Sequence, residues 1–166
     1  MMQRRDRAAR LADVARIGAR GAGAADPVAV GVGHDLVYLP DLARRLGPEP
    51  LRASFTEEEL RGLAPGVEPA RYFGVRWAAK RAAAKAFAEL AAALHVPAAG
   101  LSSPLAYEIA AWPSGVMPYL RLHGRPAALL AEIGARVALS VTHDRDYAAA
   151  FVVIARAAAP AYARAV

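Results

Sequence analysis

A chain of 166 residues with 56% apolar content suits one compact domain with its own core, and the lack of cysteine excludes disulfides, thiol catalysis and cysteine-held zinc. No apolar run is long enough to span a membrane, so no membrane partner is expected, and a cysteine-free chain fits a cytoplasmic protein. The formal charge of +6 suits an acidic or phosphorylated partner. Nucleic acid is not expected, because the basic residues are not interleaved with a platform for base stacking and carry no recognition motif.

Residues 1–27 are rich in arginine, alanine and glycine and read as an N-terminal extension ending in a linker. The folded domain is expected over 28–156, with an alanine-rich tail at 157–166. Pro27–Val37 reads as a strand broken by Gly31 and Gly33, glycines that admit either a close backbone approach or a positive φ. It delivers His34 and Asp35 at its end, where a lone carboxylate serves either as a turn cap or as a site residue. Leu39–Leu46 can form a short helix carrying Arg44 and Arg45, ended by Gly47–Pro50. Thr56 and Glu59 have the spacing of a capping box, which gives that segment a full structural explanation.

Ala70–Leu94 is alanine-rich and free of proline, so a long helix is expected. Phe73, Trp77, Lys80, Ala84, Phe87, Ala91 and Leu94 recur at spacings of three and four and draw one stripe. Lys80 lies inside that stripe, where snorkelling would carry its ammonium outwards. Arg81 and Lys85 lie one turn apart on the flank. Farther on, Leu105–Trp112 and Val116–Leu122 read as strands joined through Pro113–Gly115. Pro126–Gly134 reads as a short helix stopped by its glycine. Arg136–Val141 and Tyr147–Ile154 form a second strand pair linked by Thr142–Asp146. The continuously apolar Phe151–Ile154 implies burial on both faces, if necessary by a second subunit. The expected class is α+β, a mainly antiparallel sheet packed on one long helix.

Five segments in this order resemble the holo-acyl-carrier-protein synthases, the small trimeric class of 4′-phosphopantetheinyl transferases. They are Gly31–Asp35, Phe55-Thr56 with Glu59, Arg76–Lys80 with Ala82 and Lys85-Ala86, Gly115 with Pro118-Tyr119, and Ser140–His143 followed by Tyr147. The resemblance runs from about Val28 to Ile154. It implies transfer of 4′-phosphopantetheine from coenzyme A to a serine of an acyl carrier protein, in a homotrimer whose site lies between subunits. By the same likeness Asp35 and Lys85 are catalytic. Lys80, Lys85 and His143 match residues that meet the coenzyme; Arg81, outside the family pattern, is expected to meet it as well, and Arg44 and Arg45 are expected to dock the carrier where Pro40 and Asp41 weaken that face.

The resemblance also implies Mg²⁺ held by Asp35 and by a glutamate directly after the first helix lysine, where this chain has Arg81. Asp35 is then the one matched protein ligand, and Arg81 could instead clamp the diphosphate itself. Ala88, Met117 and Asp41 depart from the pattern at the coenzyme and carrier sites. Two functions stay open: a divergent transferase, or a member that has lost the transfer and binds, or acts on chains tethered to, an acyl carrier protein in polyketide or fatty-acid-like metabolism.

Overall fold

The computed structural model describes residues 30–111 and 118–156. The extension 1–27, the turn Pro113–Gly115 and the tail 157–166 lie outside the described residues. In chain order the elements are β1 (Val30–Tyr38), α1 (Leu39–Ala43), α2 (Pro48–Ser54), α3 (Glu57–Arg61) and α4 (Pro69–Ala93). A 3₁₀ turn (Pro104–Ala106) then leads to β2 (Tyr107–Ala111), β3 (Pro118–Leu122), α5 (Gly124–Ile133), β4 (Ala135–Asp144) and β5 (Tyr147–Arg156). All strand pairs are antiparallel, in a three-stranded sheet ordered β1-β5-β4 and a two-stranded β2-β3 ribbon. The expected α+β class and the long helix are both present.

α4 starts at Pro69, whose missing N–H costs nothing in the first turn of a helix. Its buried face carries Ala78, Ala82 and Ala86 beside the larger Phe73, Phe87 and Leu90. The small side chains let the helix backbone lie directly on β1. β1 is one unbroken strand and not a strand interrupted by glycine, because Gly31 and Gly33 are the places where α4 touches it. A Cβ on Gly31 would stand 2.2 Å from the carbonyl oxygen of Ala86, and one on Gly33 1.9 Å from that of Ala82. Of the two uses open to these glycines, the structure takes close approach.

β1 is an edge strand, and edges invite unwanted pairing. Side chains of α4 cover this one: Glu89 accepts the Val32 N–H at 2.6 Å, and Lys85 donates to the His34 carbonyl at 2.9 Å.

Three boundaries differ from expectation. α2 forms where Gly47–Pro50 was read as a stop, because Pro48 opens a helix as readily as proline ends one; α1 is correspondingly short. Thr142 and His143 belong to β4 and not to a connecting loop, since the hairpin turn needs only Arg145 and Asp146, with Arg145 at a left-handed φ of 46°. Within the chain, β5 is buried on one face only. Val152 and Ile154 pack beneath α4, whereas Phe151 is 47% exposed. Gly134 caps α5 in the left-handed conformation, as its position implied.

Placing a methyl group on Gly33 must push α4 away from β1, because the obstructing atom is backbone. Gly33→Ala is expected to lose about 3 kcal/mol, the upper range for overpacking a core, read as a lower urea midpoint with an unchanged slope.

Candidate active site

Thr56 caps α3 with the full capping box: its hydroxyl accepts the Glu59 N–H at 3.3 Å, and Glu59 accepts the Thr56 N–H at 2.9 Å. Glu59 does more than its local spacing indicated. Its carboxylate is buried, takes the Ile109 N–H of β2 at 3.0 Å, and lies 2.7 Å from the ammonium of Lys80. Lys80 does not snorkel out. It is 1% exposed, and it also donates to the carbonyls of Pro104 at 3.0 Å and Tyr107 at 2.5 Å. All three of its N–H donors are occupied inside the fold. Burial pulls its pKa below the usual lysine value, with Glu59 pulling it partly back. The structure therefore gives Lys80 an internal role.

The neighbouring residues of α4 behave differently. Arg81 and Lys85 are half-exposed and converge on Asp35, whose side chain is 4% exposed. Lys85 donates to Oδ1 at 2.6 Å. Arg81 Nε lies 3.2 Å from Oδ2, close enough for an ion pair but not aimed as a hydrogen bond, so this buried oxygen keeps an unfilled acceptor. Asp35 is no turn cap; it stands within the strand, opposite Ala150, on the face that meets α4. One carboxylate under two cations leaves the cluster with a net positive charge.

Two clefts flank it. The larger, about 340 Å³, is lined by Leu36, Leu42, Leu51, Phe55, Trp77 and Arg81, with Arg45 and Asp41 at its polar side. The smaller, about 200 Å³, lies among Trp77, Lys80, Arg81, Ala84, Ser102 and Pro104. Trp77 and Arg81 are thus the wall between them. Nothing in the sequence indicated this partition, because α2, which supplies Pro50 and Leu51, was read as a stop.

Mg²⁺ does not fit the residues present. It takes one or two protein carboxylates, with substrate phosphates and waters completing its octahedron, and like charges beside those carboxylates oppose it. Asp35 is the one carboxylate at the cluster, and both of its oxygens face cations.

The remaining candidates lie apart from the cluster. His143 is exposed near the end of β4, two strands across from Asp35 and two residues farther along, so about 12 Å away within the sheet. Arg44 is paired with Asp41, whereas Arg45 faces the larger cleft. Sequence reasoning quoted Arg76 within a motif but gave it no role of its own. Its guanidinium lies 3.5 Å above the Tyr72 ring, its Nε has no hydrogen-bond partner, and burial lowers its pKa from the usual value.

The 4′-phosphopantetheinyl transferase superfamily model matches residues 31–152, from the first glycine of β1 into the buried half of β5, and the chain belongs to that family. It is 40% identical over 130 residues to a holo-[acyl-carrier-protein] synthase of Nocardia farcinica, covering 75% of this chain and 86% of the relative. Among solved structures, the ACPS–CoA complex of Chronobacterium ammoniagenes superposes with a TM-score of 0.64 at 32% identity, covering 78% of this chain and 98% of the other. The holo-[acyl-carrier-protein] synthase of Neisseria meningitidis gives a TM-score of 0.60 at 30% identity, covering 75% and 96%.

Removing one member of the Glu59–Lys80 pair strands the other charge in the core. Glu59→Gln and Lys80→Met are each expected to cost about 3–5 kcal/mol. In a double-mutant cycle by urea denaturation, the two together should cost clearly less than the sum of the singles.

Proposed function

We propose that the chain transfers 4′-phosphopantetheine from coenzyme A to a serine hydroxyl of an acyl carrier protein. The observation that carries this is the pair of half-exposed cations, Arg81 and Lys85, held on buried Asp35 between two clefts in a chain of this family. In the reaction the serine oxygen bonds to the β-phosphorus of the coenzyme. The bond from that phosphorus to the bridging oxygen breaks, and its electron pair leaves on 3′,5′-ADP. The hydroxyl proton passes to solvent. Negative charge grows on the leaving phosphate, so fixed cations beside it lower the barrier. Lys85 supplies one as a point charge, and Asp35 holds the lysine where the phosphate arrives. Arg45, at the rim of the larger cleft, suits docking of an acidic carrier better than Arg44, which already has Asp41.

A homotrimer is part of the same proposal. Val30, Val32, Leu36, Tyr38, Tyr147 and Phe151 stand 39–61% exposed on the outer face of the β1-β5-β4 sheet, an apolar surface suited to a second copy. His143 would then serve a neighbouring subunit's coenzyme, which its distance from Asp35 within one chain favours. No helix of the described residues is long and apolar enough to cross a membrane. We place the reaction in the cytoplasm.

The test is mass spectrometry of apo acyl carrier proteins after incubation with the protein and coenzyme A. A gain of the phosphopantetheine mass is expected; no gain on any of several carriers would sink the transferase reading, and retention of the apo carriers in pull-downs would then favour the accessory role. Lys85→Ala should lower kcat/KM by about 10²-fold, as for loss of one charge-stabilising group, with the circular dichroism spectrum retained. Phe151→Glu should convert the trimer to smaller species, seen by light scattering on a sizing column.

A further inference from the structure

Building on the transferase reading, we propose that Arg81, anchored on Asp35, stands in for a divalent metal, so that the site takes the diphosphate of coenzyme A directly and without Mg²⁺. Asp35 lies 2.6 Å from the Lys85 ammonium and 3.2 Å from Arg81 Nε. A further cation there would find one carboxylate oxygen and two like charges. An anion would find the reverse. Among the described residues Arg81 has no partner but Asp35, and that contact is no hydrogen bond. A half-exposed guanidinium, drawn to Asp35 by one ion pair, therefore keeps its donors for another acceptor, and its planar fork suits two phosphate oxygens at once.

The place of Arg81 matches the shape of the substrate. It separates the larger cleft, whose lining is mixed polar and apolar with Asp41 and Arg45, from the smaller, mostly apolar one beside Ser102 and Pro104. Coenzyme A carries its diphosphate between two unlike arms, an adenosine and a pantetheine. A cation on the wall between two clefts would meet the diphosphate with one arm on each side. Lys80 cannot take this part, since its ammonium is buried and bound to Glu59 and two carbonyls.

Calorimetric titration of the full chain with coenzyme A, and with inorganic diphosphate as the minimal probe, is done once in EDTA and once in excess Mg²⁺. The two dissociation constants are expected to agree within about threefold, a small difference on the free-energy scale. Arg81→Gln should weaken EDTA binding at least about tenfold, or ~1.4 kcal/mol, and Mg²⁺ should not restore it. Arg81→Glu should also lose EDTA binding but recover it on addition of Mg²⁺, because a second carboxylate then faces Asp35. Circular dichroism verifies that both variants are folded. Wild-type binding that appears only with Mg²⁺ overturns the proposal, as does Arg81→Gln binding as tightly as wild type. Transfer to an apo carrier in EDTA is the expected companion result. Transfer that requires Mg²⁺ overturns the metal-free site while leaving the transferase reading intact. If transfer occurs in neither buffer, the transferase reading falls, and the titrations still decide how the diphosphate is held.

Discussion

Glu59 and Lys80 meet as full charges at a place sealed from water, an arrangement that is costly unless every donor and acceptor is matched. Here they are matched. One carboxylate oxygen holds the N–H of Ile109, the other holds Lys80 and the N–H of Thr56, and the ammonium completes its set on the carbonyls of Pro104 and Tyr107. A single pair thereby ties α3, α4, the 3₁₀ turn and the start of β2. It also sets the rotation of α4. With Lys80 pointing inwards, the next residue lies about 100° round the helix. That rotation is what brings Arg81 to the flank facing Asp35, and Lys85 follows one turn later.

A second constraint is the contact between α4 and β1. Gly31 and Gly33 carry no side chain, so the helix comes close enough for Lys85 and Glu89 to reach the backbone of the edge strand. Asp35 is the next inward-facing residue of β1 after these glycines, placed just where the helix presents its cations. The buried carboxylate is tolerable because two positive groups lie on it, and those groups are fixed because the carboxylate cannot move. Positions in the strand and in the helix thus define the charge of the site together.

Much of this architecture was legible in the chain. Alanine-rich, proline-free Ala70–Leu94 announced its helix through local propensity, and Thr56 with Glu59 announced a cap that forms as spaced. Asp35 and Lys85, which lie 50 positions apart, were linked by family likeness before any contact was known. What escaped was long-range. Periodicity placed Lys80 on an apolar stripe, but its partner lies 21 positions earlier, on a helix whose cap already explained Glu59 locally. The two clefts were equally hidden, since α2 was mistaken for a stop and pocket walls arise from elements distant in sequence. The alternation of β1 was obscured because glycines interrupt its apolar pattern on the very face that packs.

β1 alternates strictly, with Gly31, Gly33, Asp35 and Val37 turned to the helix and Val30, Val32, His34, Leu36 and Tyr38 turned away. The inner row holds the charge cluster and the outer row holds the apolar surface. Sliding the strand by a single residue against β5 would exchange the two rows, driving bulky side chains into α4 and moving the carboxylate outside. The charge cluster and the exposed apolar surface are therefore encoded in the two parities of one nine-residue strand. Neither can drift in evolution by insertion or deletion within β1 without carrying the other along.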